Sequence, residues 1–448
     1  MATKKKMLQA AAGQAGGAGL DITEVFSTYL YEGNGTSNRQ ITTNINTSDE
    51  GGMVWIKNRD GGDPHVLFDT ERGSNKSLTS NTFDAEVTDY QRLTSFRDDG
   101  FRLGTDPEVN ASNGDNYASW TFRKAPKFFD VVTYTGDGTT DGSKKVLHNL
   151  GSAPGCIIVK RTDSTGEWNV YHRGITSSPE TRALYLNQTS SYGTGGAWGS
   201  TLPTDTEFTV GSSATVNISN ATYVAYLFAH NDGDGEFGPS GDADIIKCGS
   251  YAGNATSVDL GFEPQFIIVK RTDSAENWMM FDSMRGWNAD GNSLGWLMPN
   301  KSSKEGTLTI GNFRLTSTGF EMSSGYSPLN NGSSSSNYIY MAIRRGPLAQ
   351  PESGTEVFAI DIADGNGGDN PPQFVSGFPV DAAIIHYKPG GSSYYPTLRD
   401  RLRGTYGSYT FSSAAENSDG SQTWDFMNGH FKATFSSSYL SLMWKRAP

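Results

Sequence analysis

Several residue patterns in this chain have the types and spacing that chemistry requires. Gly233, Gly235 and Gly238 spell G-x-G-x-x-G, which binds phosphate when its backbone N–H groups open a helix. No helical pattern follows here, and the acids Asp232, Asp234, Glu236, Asp242 and Asp244 would repel an anion, so the stretch reads as a linker. Gly291, Ser293 and Gly295 spell G-x-S-x-G, the nucleophile elbow. That motif needs a strand-to-helix turn, whereas "NADGNSLGWLM" is a loop entering a strand. The six histidines, at 65, 148, 172, 230, 386 and 430, lack the spacing of a zinc pair. Acidic loops suit a hard cation better. Asp232 and Asp234 in "DGDGE", and Asp361 and Asp364 in "DIADGNGGDN", offer oxygens around glycines as Ca²⁺ prefers, without completing a calcium-loop pattern. No other cofactor is expected. The E-x-D-x-x-E string of jelly-roll glucanases is absent, which removes its paired carboxylates, and no enzyme is expected. Cys156 and Cys248 lie in the apolar runs "GCIIVK" and "DIIKC", where a thiol reads as buried and reduced.

The elements that must carry these residues repeat. "LGSAPGCIIVKRTDSTGEW" (Leu150 to Trp168) and "LGFEPQFIIVKRTDSAENW" (Leu260 to Trp278) share the octapeptide IIVKRTDS at an offset of 110 residues. Weaker copies follow in the same register: "GGMVWIKNRD" with "LFDTERG" near the start, and "VDAAIIHYKPG" with "LRDRLRG" near the end. Each copy reads as an apolar strand, a Lys, a polar turn, a second strand and an Arg-Gly pair, the pairs being Arg72-Gly73, Arg173-Gly174, Arg285-Gly286 and Arg403-Gly404. An Arg present in every copy serves the fold, stacking on a neighbouring aromatic while Gly closes the turn. Trp168 and Trp278 share one position, from which they could stack on sugar faces or cap a core.

Each copy opens on an alternating strand running into glycines ("VFSTYLYEGNG", "FFDVVTYTGDG", "DADIIKCGSYAGN", "EVFAIDIADGNG"). Each closes on "YASWTFRKAP", "YVAYLFAHND", "YIYMAIRRGP" or "YLSLMWKRAP". In "YVAYLF", Tyr223, Ala225 and Leu227 occupy one face and Val224, Tyr226 and Phe228 the other. Both faces are apolar, which marks a central strand. With turn signals every 8–12 residues, the expected fold is all-β: four tandem β-sandwich modules behind a flexible arm. The expected boundaries are 1–20 (arm), 21–126, 127–232, 233–347 and 348–448, and two copies sharing one larger sandwich is the alternative.

Composition agrees. Of 448 residues 53 are Gly, yet 9 Trp, 20 Tyr and 23 Phe supply apolar area that a disordered chain would lack. The net charge of −12 argues against nucleic acid or an anionic membrane as partner. No apolar run approaches a membrane span, and the glutamines and glycines of "MATKKKMLQAAAGQAGGAG" leave no signal-peptide core.

The Lys-rich, Ala/Gly-rich start running into "VFSTYLYEGNG", the "GGMVWIKNRD…LFDTERG" pair and the "YVAYLFAH" strand resemble virion structural proteins of marine tailed phages, cyanophages especially. The resemblance implies concanavalin-like or lectin-like jelly-roll sandwiches in tandem and a place on the virion, assembled in the host cytoplasm. It also implies other virion proteins as partners through the arm, host surface glycan as a ligand, and a homo-oligomer. The leading expectation is a tail-associated fibre or adhesin. The alternatives are a capsid or tail decoration protein and, third, a polysaccharide depolymerase. The divergent loops "NQTSSYGTGGAWGS" and "SSGYSPLNNGSSSSN" resemble paratopes in composition, so Tyr192, Trp198 and Tyr326 join Trp168 and Trp278 as candidate glycan contacts.

Overall fold

The computed structural model describes residues 19–447, apart from 176–177, 290, 292–293, 309–312, 364–371, 388–395, 405, 411–414, 419–423, 425–426 and 431–436. The described residues form several antiparallel sheets, and helix is confined to single turns such as Ile22–Val25 and Pro107–Asn110. Among them, no helix is long and apolar enough to cross a membrane. Residues 1–18 of the arm, and Asp364, lie outside the described residues.

One strand order recurs four times. In the first sheet the opening strand Phe26–Glu32 pairs with the closing strand Asn116–Arg123. That strand pairs with the lysine strand Gly52–Asn58, and the lysine strand with the arginine strand Val66–Asp69. The second sheet repeats this with Phe129–Thr135, Thr222–Phe228, Cys156–Arg161 and Trp168–His172. Ile246–Ala252, Asn337–Arg344, Pro264–Arg271 and Met279–Asp282 make the third. Phe358–Ile362, Tyr439–Trp444, Ala382–Tyr387 and Thr397–Asp400 make the fourth. The closing strand is central each time, as its two apolar faces require.

Register fixes which residues are equivalent, and it amends the sequence alignment twice. His386 pairs with Leu440 as Lys57 pairs with Ala118 and Lys160 with Val224, so the lysine position of the fourth copy holds a histidine. His172 pairs with Cys156 as Asp69 pairs with Met53 and Asp282 with Phe266. Arg173 therefore follows directly on the aspartate position, whereas Arg72, Arg285 and Arg403 come three residues after Asp69, Asp282 and Asp400. Arg173 is exposed and is not the equivalent of the other three.

Each large sheet is accompanied by a smaller one, in the first copy Arg39–Thr42, Gly100–Leu103 and Leu93–Phe96. One buried cluster draws Val54, Ile56, Phe68 and Tyr117 from the large sheet and Ile41, Leu93 and Phe101 from the small one. The third copy has a matching cluster around Val269, Phe281, Phe313 and Phe320. The opposite faces of the first three large sheets meet in a single further core, in which Phe26, Trp55, Trp120 and Phe122 lie with Val131, Ile158, Tyr226 and Phe228 and with Phe266, Ile268, Met341 and Ile343. Ring contacts cross it: Phe122 lies 5.5 Å from Phe228 and 6.2 Å from Phe266.

Two expectations change. The stretch Asn231 to Asp244 is no loose tether. Phe237 is buried in the shared core, Asn231 Oδ1 accepts the N–H groups of Ile245 and Ile246, and Asp244 accepts those of Gly233 and Gly235. Trp198 is not a surface group either: it is 3% exposed and meets the Tyr171 ring edge-on at 5.8 Å. Replacing Trp198 by Ala should therefore cost about 3–5 kcal/mol of stability, the range for emptying a buried aromatic site. A urea midpoint unchanged from the parent would contradict this packing.

Candidate functional site

The residues with chemical potential converge where the first three copies meet, and they do so cyclically. The Tyr226 hydroxyl of the second copy donates to Asp69 Oδ2 of the first at 2.8 Å. The Trp120 indole of the first, at the position of Tyr226, donates to Asp282 Oδ2 of the third at 3.1 Å. His172 of the second, at the aspartate position, bonds through Nε2 to the Tyr340 carbonyl of the third at 3.0 Å. Backbone bonds repeat the cycle: the N–H groups of Glu86, Tyr192 and Glu305 donate to the carbonyls of Thr162, Thr272 and Arg59. The first copy thus touches the second, the second the third, and the third the first, in one closed ring.

At two joints the aspartate belongs to a buried triad. Arg72 bonds Asp69 at 2.6 Å and Glu86 at 3.2 Å, and Arg285 bonds Asp282 at 2.6 Å and Glu305 at 2.7 Å. Both arginine side chains are buried, and the Arg285 guanidinium lies 5.3 Å over the Trp120 ring of the neighbouring copy, so the stacking expected of the repeated Arg reaches across a joint. Gly73 (φ +100°) and Gly286 (φ +96°) supply the positive φ at which the chain turns after each Arg. Glu305 also binds Arg59 of the first copy at 2.7 Å. The charges are mutually paired and largely buried, which suits holding sheets together.

The lysines and tryptophans do the same work. Lys57, Lys160 and Lys270 are fully buried, and burial pushes each ammonium down to about 8. Lys160 donates to the Phe83 carbonyl of the first copy and Lys270 to the Thr189 carbonyl of the second. Trp168 and Trp278 are 0% and 5% exposed, and their indoles donate across joints to the Thr79 and Tyr185 carbonyls at 3.0 and 2.9 Å. His65 holds the same position in the first copy. Its Nδ1 accepts the Trp55 indole N–H, and it lies near the Met298 backbone without a hydrogen bond of ordinary geometry at Nε2.

The five glycan candidates are not gathered. Trp168 and Trp278 fill two different joints and Trp198 the core of the second copy. Tyr192 is half-buried under the Arg182 guanidinium, 4.6 Å over its ring, and Tyr326 packs half-buried on the third copy's core. Asp232 and Asp234 are exposed beside Lys247 and Lys127, and Asp361 accepts the Val375 N–H. Among the described residues no group of three or more His, Cys, Asp or Glu could hold a metal ion. Cys156 and Cys248 are free and buried, and burial raises both thiols above their ordinary range. A Cβ on Gly155 would come within 2.6 Å of Cys248 Cβ, so glycine lets the second and third copies close here. A cleft of about 900 Å³ separates the first opening strand from the fourth copy and is lined by Tyr29, Arg39, Arg59, Asn428 and others.

Removing Arg285 leaves two carboxylates facing each other in a dry joint. Arg285→Ala should lower stability by about 3–5 kcal/mol. Arg403→Ala should cost less than about 1 kcal/mol, because its pairs with Asp400 and Glu416 are partly exposed. Equal losses in denaturant titrations would refute the reading of the joint. His172 gives a pH test. Nδ1 accepts the Gly174 N–H while Nε2 faces a carbonyl, so the ring is neutral, and burial pushes its pKa down to about 3. The unfolded chain binds this proton first, so the stabilisation is full above about pH 6.5 and lost as pH falls toward 3. His172→Gln should flatten the acid side of the stability profile, and an unchanged slope there would exclude the neutral ring as its source.

None of the curated proteins matches this chain, and none of the solved structures does. A family model described as a domain of unknown function, DUF7483, matches residues 21–347, which is most of the chain and spans the three copies of the ring together. The chain belongs to the DUF7483 family.

Proposed function

We propose that this chain is a structural protein of a virus particle, tail-associated and non-enzymatic. Each copy would be one β-sandwich, the first three locked into a rigid block and the fourth appended. The observation that carries the reading is where the repeated residues go. Asp, Arg, Glu, Lys and Trp at recurring positions bond to neighbouring copies, and an active site needs such groups facing a ligand. The resemblance to phage virion proteins supplies the setting, and the arm, with three lysines and no acid among its first nineteen residues, supplies a docking segment for an acidic partner. Host glycan contact would fall to the loops bearing Tyr192 and Tyr326, each contact weak and multiplied by copies on the particle.

Gold-labelled antibody against the chain should decorate the tails of particles. Label confined to the capsid would favour the decoration role, and particles free of the protein would defeat the proposal. Tyr192→Ala with Tyr326→Ala should reduce adsorption to host cells several-fold while the chain still folds, its stability lowered by no more than about 3 kcal/mol because both rings are half-buried. Full adsorption by that folded variant would remove the adhesin part and leave the structural one.

A further inference from the structure

The fourth sheet carries the face that closes the ring in the first three, and nothing described in the chain covers it. Register identifies the positions. Thr28, Val131 and Cys248 are equivalent on the three opening strands and are 3%, 0% and 1% exposed, whereas Ile360 at the same position is 60% exposed. Leu30 is 5% exposed and its counterpart Ile362 47%, although Thr133 and Ser250 hold this position exposed in the second and third copies; Leu67, Val170 and Met280 are at most 1% exposed and their counterpart Leu398 is 36%. On the strands between them, Ile384, Leu440, Leu442 and Trp444 are half-buried where Trp55, Ala118, Trp120 and Phe122 are enclosed. The contrast is specific to this face, because the other face of the fourth sheet is packed: Ala383, Ile385 and Met443 share a buried cluster with Phe374 and Trp424. Scattered exposed apolar residues need no explanation, but Ile360, Ile362 and Leu398 lie on one face of a single sheet, with the half-buried Ile384, Leu440 and Leu442 on the two strands between them.

We propose that this surface binds the same surface of two further copies of the chain, giving a cyclic trimer about the fourth sheets. The ring itself identifies the occupant. Three sheets with this strand order bury this face only by meeting one another head to tail, the arginine strand of one against the closing strand of the next, and closure comes at three. A sheet with the same order and an apolar face has that geometry open to it, and three chains supply the three sheets that one chain supplies for the ring. The Asp400–Arg403–Glu416 triad stands at the edge of the face as its equivalents stand at two joints. Leu442 replaces the donors Tyr226 and Trp120, so it cannot bond an aspartate. The joint between the second and third copies has Met341 at that position and closes without such a bond.

Light scattering or native mass spectrometry of the full chain at micromolar concentration should give three times the 48.4 kDa chain mass. Ile360→Lys with Ile362→Lys should give the single-chain mass with unchanged circular dichroism, since both side chains are exposed in the isolated chain, and an unfolding midpoint that no longer depends on protein concentration. Leu202→Lys, on an exposed apolar residue of the second copy, should leave the trimer intact. A second variant guards against misfolding: Leu398→Lys should raise the concentration of half-dissociation at least tenfold. A parent that is monomeric or dimeric would overturn the proposal. So would a trimer that survives the Ile360 and Ile362 substitutions, or a half-dissociation concentration unmoved by Leu398→Lys.

Discussion

The structure depends on one constraint: the closing strand carries large apolar side chains on both faces. Tyr117 points into the core that the first large sheet shares with its small partner, while Trp120 and Phe122, one pleat away, point out of the opposite face. A single pair of sheets can cover one of these faces only. Burying a side chain of this size is worth about 1.5–3 kcal/mol, so leaving a row of them wet would remove most of a domain's margin. The first three copies meet the demand by covering one another, and the cyclic arrangement follows because each face is both cover and covered.

An apolar core of this kind has no preferred rotation, since burial is non-directional. The polar groups at the joints supply the direction. A carboxylate that accepts from Tyr226 or Trp120, and an ammonium that reaches the Phe83 or Thr189 carbonyl, is satisfied in one relative placement of two copies and costly in any other. This explains why charged residues sit at 0–3% exposure between sheets, where a hydrophobic replacement of equal volume would serve stability as well. It also explains why the aspartate-arginine-glutamate set stays whole in the buried joints: removing the arginine leaves two close carboxylates without the cation between them. The second copy, with His172 in place of the aspartate, meets the same need with a neutral ring that donates to a backbone carbonyl.

What was legible in the sequence is what repeats in type. The octapeptide IIVKRTDS and its weaker copies, the alternating closing strands and the glycine-ended opening strands located all four large sheets and marked the closing strand as central. The joints repeat in position while changing in type: His65, Trp168 and Trp278 are one position, and Trp120, Tyr226 and Met341 another. Period-two alternation shows that such a residue is buried and cannot say against which partner. A signal for the triad was present, since D-x-x-R-G occurs at Asp69, Asp282 and Asp400, but aligning the copies on Arg-Gly admitted Arg173 and hid the shared aspartate. Trp198 sits in a stretch of Ser, Gly and Thr whose composition says loop and carries no sign of burial. In the structure it lies under that loop, bridged to Val210.

The fourth copy shows how small the difference is between an internal joint and an open face. Its strand order is that of the other three, yet the family match ends at Pro347, before it begins. The positions that bond across the ring have changed with it. Pro396 stands where Trp168 and Trp278 donate, His386 where Lys160 and Lys270 reach a neighbour's carbonyl, and Leu442 where Tyr226 and Trp120 meet an aspartate. None of the three replacements can make its counterpart's bond: proline has no side-chain donor, imidazole is too short, and leucine is apolar. The apolar content of the face has meanwhile been kept or raised, with isoleucine at the position of Thr28. Loss of the direction-setting bonds and retention of the burial-driving surface are separable because they rest on different physics. The fourth sheet is held to the ring by other means, through Arg345 with Glu263 and Asp381 and through Arg446 with Glu263, at the end of the sheet beside Ala382 and Trp444. The contacts that attach the copy therefore engage the Trp444 end of its ring-type surface and leave Ile360, Ile362 and Leu398 exposed.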